Sequence, residues 1–276
     1  MKFFFFALLL FSGMLRAAPM RIITLSSALT GTVDALGYGT GIVAVDVTSE
    51  YPAYVRTLPR VSRNRALSVE GILMFRPDIV LAPEGDISRA MALQLKNAGV
   101  RLVTIKQEFS VSGASRFIRA IASALHEPEK GEALARQNEA ACQSIISRIH
   151  TASAKTPKVV FIYARGAGTM SVAGKGSNMD AIIQLAGGKN AIGEFSDFKP
   201  YSTEALIKAN PDIILLFDFG AGSLGGKASI LKMPGVMLTA AGKQNRIVEV
   251  DAQLMVNFST RLPEAIKDLN GRLFGL

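Results

Sequence analysis

The stretch Ser68 to Pro83, SVEGILMFRPDIVLAP, decides the fold because it returns later in the chain as Ser202 to Asp218, STEALIKANPDIILLFD. Five residues recur at one constant spacing of 134 positions: Ser68, Glu70, Pro77, Asp78 and Ile79 match Ser202, Glu204, Pro211, Asp212 and Ile213. A spacing kept at five positions indicates an internal repeat of one structural unit. The sequence therefore predicts two similar lobes.

Each copy of the repeat has the pattern of a short helix followed by a buried strand. The serine is a typical N-cap, the glutamate falls in the first turn where the helix dipole favours negative charge, and the proline ends the helix. Capping accounts fully for the serines. It accounts only in part for Glu70 and Glu204, because aspartate or glutamine would serve equally well there.

Strands and helices alternate on both sides of this repeat. The predicted strands are RIITLS, GIVAVDV, DIVLAP and RLVTIK in the first lobe, and KVVFIYA, NAIGEF, DIILLFD and RIVEVD in the second. Such alternation predicts an α/β fold in which each lobe is Rossmann-like, with a mostly parallel sheet and helices on both faces.

One long rigid helix is predicted between the lobes, within residues 127–152. After Pro128 the segment has no further proline and only Gly131, and it is rich in Ala, Glu, Gln and Ile. A helix of this length reaches about 30 Å, the diameter of a small domain. We therefore expect an N-terminal lobe at 19–126 and a C-terminal lobe at 153–276. An ordinary surface helix within one continuous domain is the alternative.

Residues 1–18 have the pattern of a cleaved signal peptide. Lys2 is followed by the apolar run FFFFALLLF and then by small residues up to Ala18. The apolar run is too short for a permanent membrane helix, which needs about 20 residues; an uncleaved anchor is the alternative. The single cysteine, Cys142, lies far from the signal segment. This favours a periplasmic protein over a lipoprotein.

Composition and charge narrow the classes of partner. With 276 residues, 49% of them hydrophobic, the chain is long enough for one large or two medium domains. A formal net charge of +9 favours an anionic ligand or an acidic partner surface. Nucleic acid is disfavoured, because export is predicted and aromatic and basic residues do not interleave.

Several motifs of enzymes are absent from the sequence. AGKGSNMD, residues 173–180, lacks the first glycine and the hydroxyl residue of a phosphate-binding loop, and GYGTGIV and GAGTMS lack the third glycine of a dinucleotide fingerprint. His126 and His150, the two histidines, are too far apart to share an ion. No serine lies in a G-x-S-x-G elbow. We therefore expect a protein that is not an enzyme.

A cluster of tyrosines and arginines remains, in DVTSEYPAYVRTLPRVSRNR, residues 46–65. It follows a predicted strand, and ligands of open parallel sheets bind beyond the carboxyl ends of the strands. Tyr51 and Tyr54 are candidate phenolate ligands of haem iron, and Arg63 and Arg65 are candidate partners of carboxylates. The alternative is a turn at Tyr51 with a half-buried ring and a solvated loop of arginines.

Several segments together resemble the haem-binding periplasmic proteins of bacterial haem ABC importers, within the larger family that also receives ferric siderophores and cobalamin. These are DVTSEYP, the LP-x-V-x-x-x-R-x-L-S-x-E-G-I stretch (58–72), PDIVLAP, AGGKNAIGEF and LMVNFSTRLPEAI. The resemblance implies two lobes joined by one long helix, with haem between them as the transported ligand. It also implies that Glu70 and Glu204 dock onto the membrane permease, which works with an ATPase. We expect a monomer.

The candidate ligand site departs from that family at two positions. Arg63 stands where haem-binding members carry an iron-ligating tyrosine, while Arg65 keeps the family's arginine. Arg165 stands where some members carry a histidine. Three alternatives stay open: Tyr51 or Tyr54 ligates the iron, with Tyr51 preferred; haem is held without a strong protein ligand; or the ligand is a ferric siderophore held mainly by Arg63, Arg65 and Arg165.

Overall fold

The structure, a computed structural model, describes residues 19–64, 66–152, 155–166, 170–200 and 202–275. The signal peptide predicted at 1–18 lies outside the described residues. The strands are β1 Ile22–Thr24, β2 Ile42–Val45, β3 Ile79–Pro83, β4 Arg101–Ile105, β5 Lys158–Ala164, β6 Met170–Ala173, β7 Lys189–Asn190, β8 Phe198–Pro200, β9 Ile213–Phe217 and β10 Ile247–Val250. The helices are α1 Ser27–Val33, α2 Val69–Leu73, α3 Arg89–Asn97, α4 Val111–Ala124, α5 Pro128–Ala152, α6 Asn178–Leu185, α7 Thr203–Ala209, α8 Asp218–Ser223, α9 Lys227–Leu231, α10 Ala240–Lys243, α11 Ala252–Met255 and α12 Leu262–Phe274.

The strands form two separate sheets, one in each lobe. The first has the order β2-β1-β3-β4, and all of its pairings are parallel. The second has the order β10-β9-β5-β6-β8, with β7 beside β5. Its pairings are parallel except that β6 runs antiparallel to β5 and to β8. The predicted α/β fold with mostly parallel sheets is therefore confirmed.

Two features of the second sheet differ from the prediction. The segment NAIGEF was expected to be a strand, but only its first residue, Asn190, pairs with β5 as part of the two-residue strand Lys189–Asn190. The antiparallel strands β6 and β8 were not predicted. They have only four and three residues, so no alternating apolar pattern is long enough to indicate them.

The internal repeat is confirmed down to single hydrogen bonds. Ser68 and Ser202 cap helices α2 and α7 by accepting the N–H of the third residue after each. Asp78 and Asp212 accept the backbone N–H groups of Arg21 and Lys158, at 2.7 and 2.8 Å, at the start of β1 and β5. The repeated aspartate thus fixes the entry of a neighbouring strand in each lobe, a role beyond ending the helix.

Helix α5 runs without a break for 25 residues, about 37 Å, between the two sheets. It packs along α4 of the first lobe and α12 of the second. Its buried Asn138 donates to the carbonyl oxygen of Ser259 at 3.2 Å. One apolar cluster includes α4, α5 and the inner face of the second sheet, so the lobes share continuous packing. The domain boundaries on either side of this helix remain a prediction.

Cys142 lies inside that shared cluster and is fully buried. Burial raises the pKa of its thiol to about 12. The thiol is therefore protonated at neutral pH and acts as a small apolar side chain. In the described part of the chain, none of the helices has the length and apolarity needed to cross a membrane.

Candidate ligand-binding cleft

A cleft of about 1400 Å³ lies between the two lobes, at the carboxyl ends of their strands. This is the edge at which open α/β sheets bind ligands. The volume exceeds the 300–1,000 Å³ or so of pockets for drug-sized ligands. Among its lining residues are Ser27, Asp46, Tyr51, Arg56, Asp86 and Gln107 from the first lobe, and Tyr163, Arg165, Phe217, Phe219, Gln253 and Arg261 from the second.

The loop that carries Tyr51 is tied down at its base. Arg60 pairs with Val45 in an isolated β-bridge, and its Nη1 donates to the carbonyl oxygens of Asp46 at 2.7 Å and Ser49 at 2.5 Å. The carboxylate of Asp46 accepts the Thr48 N–H at 2.9 Å and the Ser49 hydroxyl at 2.5 Å. Arg60 and Asp46 therefore hold the loop from both sides, which positions Tyr51 at the cleft.

Tyr51 contacts an arginine of the opposite lobe. The guanidinium carbon of Arg261 lies 4.0 Å from the centre of the Tyr51 ring, a cation–π contact. Arg261 is held in turn by two hydrogen bonds to Glu264, of 2.8 and 2.6 Å. The Tyr51 ring is 40% exposed, so part of it remains accessible to a ligand. Tyr51 and Arg261 thus form a charged and aromatic pair across the cleft.

Tyr54 lies apart from this pair and does not belong to the cleft lining. Its hydroxyl donates to Asp34 at 2.7 Å. Burial, and then the bond to Asp34, raise the pKa of the Tyr54 hydroxyl. A phenol held in this way as a donor to a carboxylate is poorly suited to bind iron as a phenolate.

Of the predicted arginines that the structure describes, one lies at the cleft. Arg165 lines the cleft, where its Nε donates to the Tyr163 hydroxyl at 2.6 Å. Arg63 is exposed and is absent from the lining, although its neighbours Ser62 and Asn64 belong to it. Arg65 lies outside the described residues. Two further arginines line the cleft: Arg56, which belongs to the cluster noted in the sequence, and Arg261, which sequence reasoning did not select.

Aromatic rings form one wall of the cleft on the second lobe. The Phe217 and Phe219 ring centres are 5.5 Å apart, and Tyr163 stands edge-on to both at 6.4 and 6.0 Å. The guanidinium of Arg165 lies 4.8 Å from the centre of Phe219. This aromatic wall offers an apolar surface of ring faces and edges with a cation beside it.

The charge of the cleft is mixed, despite the basic balance of the whole chain. Among the described residues, the lining has three guanidinium groups, from Arg56, Arg165 and Arg261, and five carboxylates, from Asp46, Glu50, Asp86, Asp218 and Asp251. Asp46, Asp218 and Asp251 accept nearby backbone N–H groups, so these carboxylates also stabilise the loops that carry them. The described part of the lining therefore carries charges of both signs. No group of three His, Cys, Asp or Glu side chains fit to hold a metal ion occurs in the described ranges.

Glu70 and Glu204 do not belong to the cleft lining and lie in the first turns of α2 and α7. Both are exposed. Among the residues that the structure describes, neither takes part in an ion pair. Because the two helices are equivalent elements of the repeat, the glutamates occupy equivalent places on the two lobes.

A ligand-sized cleft between two α/β lobes that are joined by one long helix defines a two-lobed binding protein. The chain belongs to the periplasmic binding protein family, whose model matches residues 22–254. It is similar to the solved structure of the periplasmic haem-binding protein RhuT from Roseiflexus sp. RS-1 in its apo form. The TM-score is 0.88 and the identity 34%, over 94% of this chain and 99% of that one.

Two further relatives come from sequence comparison. The ABC transporter substrate-binding lipoprotein YvrC of Bacillus subtilis is 28% identical over 258 residues, 92% of this chain and 80% of YvrC. The vitamin B12-binding protein of Pectobacterium atrosepticum is 27% identical over 207 residues, 72% of each chain. The resemblance stated from the sequence motifs is thus confirmed at the level of the family.

Sequence reasoning missed Arg261 and the aromatic wall. Arg261 lies 210 positions after Tyr51, and no local pattern links the two residues. Phe217 is the last residue of a strand that was predicted and Phe219 lies two positions later, so their place at its carboxyl end was the one signal that the sequence offered.

Proposed function

We propose that this protein is the substrate-binding component of an ABC importer that captures haem and delivers it to a membrane permease. The observation that carries the proposal is the pairing of Tyr51 and Arg261 in a large cleft that has the aromatic wall on its other side. Support comes also from the similarity to a haem-binding structure over nearly the whole chain. The protein captures and releases its ligand without chemical change.

Each part of the cleft suits a feature of haem. Tyrosine oxygen is a known axial ligand of ferric haem, and Tyr51 supplies one at the cleft. The positive charge of Arg261 beside the ring offsets the negative charge of a coordinated phenolate. Phe219 and Tyr163 offer aromatic surface to a macrocycle, and Arg165 and Arg56 add positive charge that favours an anionic ligand.

A second candidate is another large metal complex, a ferric siderophore or a cobalamin. It is favoured by the vitamin B12-binding relative and by the absence of the family tyrosine at position 63. Such ligands bring their own metal donors and need no tyrosine from the protein. Dependence of binding on the Tyr51 hydroxyl therefore separates the two candidates.

The proposal includes the place of action and the partners. The signal segment at 1–18 exports the chain to the periplasm, where it acts as a monomer. Glu70 and Glu204, exposed at equivalent positions of the two lobes, dock onto basic residues of the permease, whose ATPase drives import. Two carboxylates without intramolecular ion pairs among the described residues are available for such contacts.

An optical titration of the protein from Pro19 onward with ferric haem tests the ligand. We expect a saturable shift of the Soret band. We expect Tyr51→Phe to remove the charge-transfer band of a tyrosine-ligated iron and to weaken binding about tenfold or more, because the axial oxygen is lost. Tyr54→Phe is the matched control. It removes a hydroxyl from the same loop but outside the cleft lining, and it should leave the spectrum of bound haem unchanged.

Three other outcomes are informative. A spectrum that changes only in Tyr54→Phe would assign the iron to Tyr54. Unchanged binding and spectra in both variants would mean that haem is held without a tyrosine. The absence of any saturable shift in the unaltered protein would overturn the assignment of haem as the ligand. Titration with cyanocobalamin and with a ferric hydroxamate would then follow.

A further inference from the structure

The inter-lobe region gathers four buried polar atoms that lack a hydrogen-bond partner in the part of the chain that the structure describes. They are Ser27 Oγ, Gln107 Nε2, Gln253 Oε1 and Asn257 Nδ2, called here the unpaired polar set. Leaving such an atom unpaired destabilises the folded state, and native proteins contain few of them. Their collection in one region points to a function there.

Three members belong to residues that line the cleft, each just beyond the carboxyl end of a strand. Ser27 follows β1 and is only 5% exposed, and Gln107 follows β4. Only β3 separates these two strands in the sheet, so their ends are about 10 Å apart. Gln253, in α11 after β10, lines the cleft from the opposite lobe.

Asn257 completes the set beside Tyr51. The residue is 1% exposed, and its Oδ1 accepts the hydroxyl of Ser259, which fixes the orientation of the amide. Its Nδ2 is therefore directed to Gly31. A Cβ atom placed on Gly31 would lie 3.9 Å from that Nδ2 and 3.6 Å from Cδ1 of Tyr51. This donor thus belongs to the region where Tyr51 and Arg261 meet.

The chemistry of the unpaired polar set indicates what it binds. The Ser27 hydroxyl and the amide nitrogens of Gln107 and Asn257 are donors, and Gln253 can offer its own amide nitrogen by rotating the amide. A carboxylate is the complementary group, since it only accepts and has about four acceptor sites. Bonds from neutral donors to a charged acceptor are worth more than bonds between neutral groups.

We infer that the unpaired polar set is a subsite for the carboxylate groups of the ligand, which orients the ligand with its carboxylate edge toward the junction of the lobes. The inference rests on the proposed function, in which haem supplies two carboxylates on flexible arms at one edge of a flat ring. The set then acts in specificity, because it favours a dicarboxylate porphyrin over an otherwise identical neutral one.

The test compares ferric haem with its dimethyl ester, in one detergent-containing buffer, on the unaltered protein and on the double variant Ser27→Ala with Gln107→Met. We expect esterification to weaken binding to the unaltered protein about tenfold or more, as two charged acceptors are lost. We expect the double variant to weaken binding of the diacid about 10- to 100-fold and of the ester less than about threefold. Metal-free protoporphyrin IX and its dimethyl ester repeat the comparison without iron ligation.

The control variant is Ser229→Ala with Gln184→Met, which repeats both substitutions. Ser229 donates to the carbonyl oxygen of Gly225, Gln184 donates to Asp180, and neither residue lines the cleft. It should keep the preference of the unaltered protein for the diacid. Equal binding of diacid and ester, or a preference that survives in Ser27→Ala with Gln107→Met, would overturn the subsite while haem binding stands. Failure of both haem and protoporphyrin to bind would overturn the proposed function, and the subsite with it.

Discussion

The arginines of residues 46–65 differ in function although they share one loop. Arg60 bonds to two backbone carbonyl oxygens, Arg56 lines the cleft while paired loosely with Glu50 at 3.9 Å, and Arg63 is exposed outside the lining. Which acceptors a guanidinium binds depends on the backbone carbonyl groups that the fold places within its reach. The residue type alone does not determine this. The sequence could therefore predict a functional loop here but could not assign its arginines.

Substitution of Arg60 tests whether it holds the Tyr51 loop. Arg60→Met keeps the apolar stem and removes both bonds to the Asp46 and Ser49 carbonyl oxygens. We expect the free energy of unfolding to fall by about 2 kcal/mol, because two carbonyl groups lose a charged donor. Denaturant unfolding measures this. We also expect haem affinity to fall, since the loop no longer holds Tyr51 in place.

Arg56→Met is the matched control for Arg60→Met. Its ion pair is long, and the Arg56 side chain is 67% exposed. Exposed ion pairs of this kind contribute little to stability, so we expect the free energy of unfolding to change by less than about 0.5 kcal/mol. Equal destabilisation by the two substitutions would remove the structural role from Arg60.

At the scale of elements, helices α4 and α5 approach closely at Gly131. A Cβ atom at this position would lie 2.2 Å from Cβ of Ala122, closer than any real contact. Glycine to alanine inside a helix normally stabilises by about 1 kcal/mol. For Gly131→Ala we expect the opposite effect, a fall of about 1–3 kcal/mol in the free energy of unfolding, because the two helices must move apart to make room for the methyl group.

Gly222→Ala is the control for Gly131→Ala. Gly222 also lies within a helix, α8, and an added Cβ atom would meet no atom within 4 Å. In thermal or denaturant unfolding we therefore expect a lower midpoint for Gly131→Ala. The midpoint of Gly222→Ala should rise or stay unchanged. A Gly131→Ala variant as stable as the unaltered protein would show that the two helices do not need this close contact.

Most elements of the fold were predictable because each long element leaves a local pattern. The caps at Ser68 and Ser202, the apolar strands after Pro77 and Pro211, and the uninterrupted helix after Pro128 all follow from neighbouring residues. Strands β6 and β8 were missed because they are short and depend on their neighbours in the sheet. The strand propensity of a short segment is a weak signal when pairing with neighbouring strands decides whether the segment forms a strand.

At the scale of the whole molecule, the cleft depends on residues that are distant in sequence. Tyr51 meets Arg261 only because both lobes are complete and α5 holds them together. The aromatic wall and the unpaired polar set likewise join segments from several strand ends. The resemblance to a family predicted a cleft of this kind and the sequence offered Tyr51 as a candidate for it, but the arginine that contacts Tyr51 required the structure.

The two repeated glutamates argue for a function of the molecule that is separate from its cleft. Glu70 and Glu204 sit at equivalent exposed helix starts, and neither lines the cleft. We expect Glu70→Ala with Glu204→Ala to keep ligand affinity and stability but to abolish uptake by cells that carry the permease and ATPase, because both contacts to the permease are lost. Glu129→Ala with Glu194→Ala removes two other exposed carboxylates and should leave uptake intact. Normal uptake by the first pair would refute the docking assignment, whereas loss of ligand binding would show that these glutamates act on the cleft.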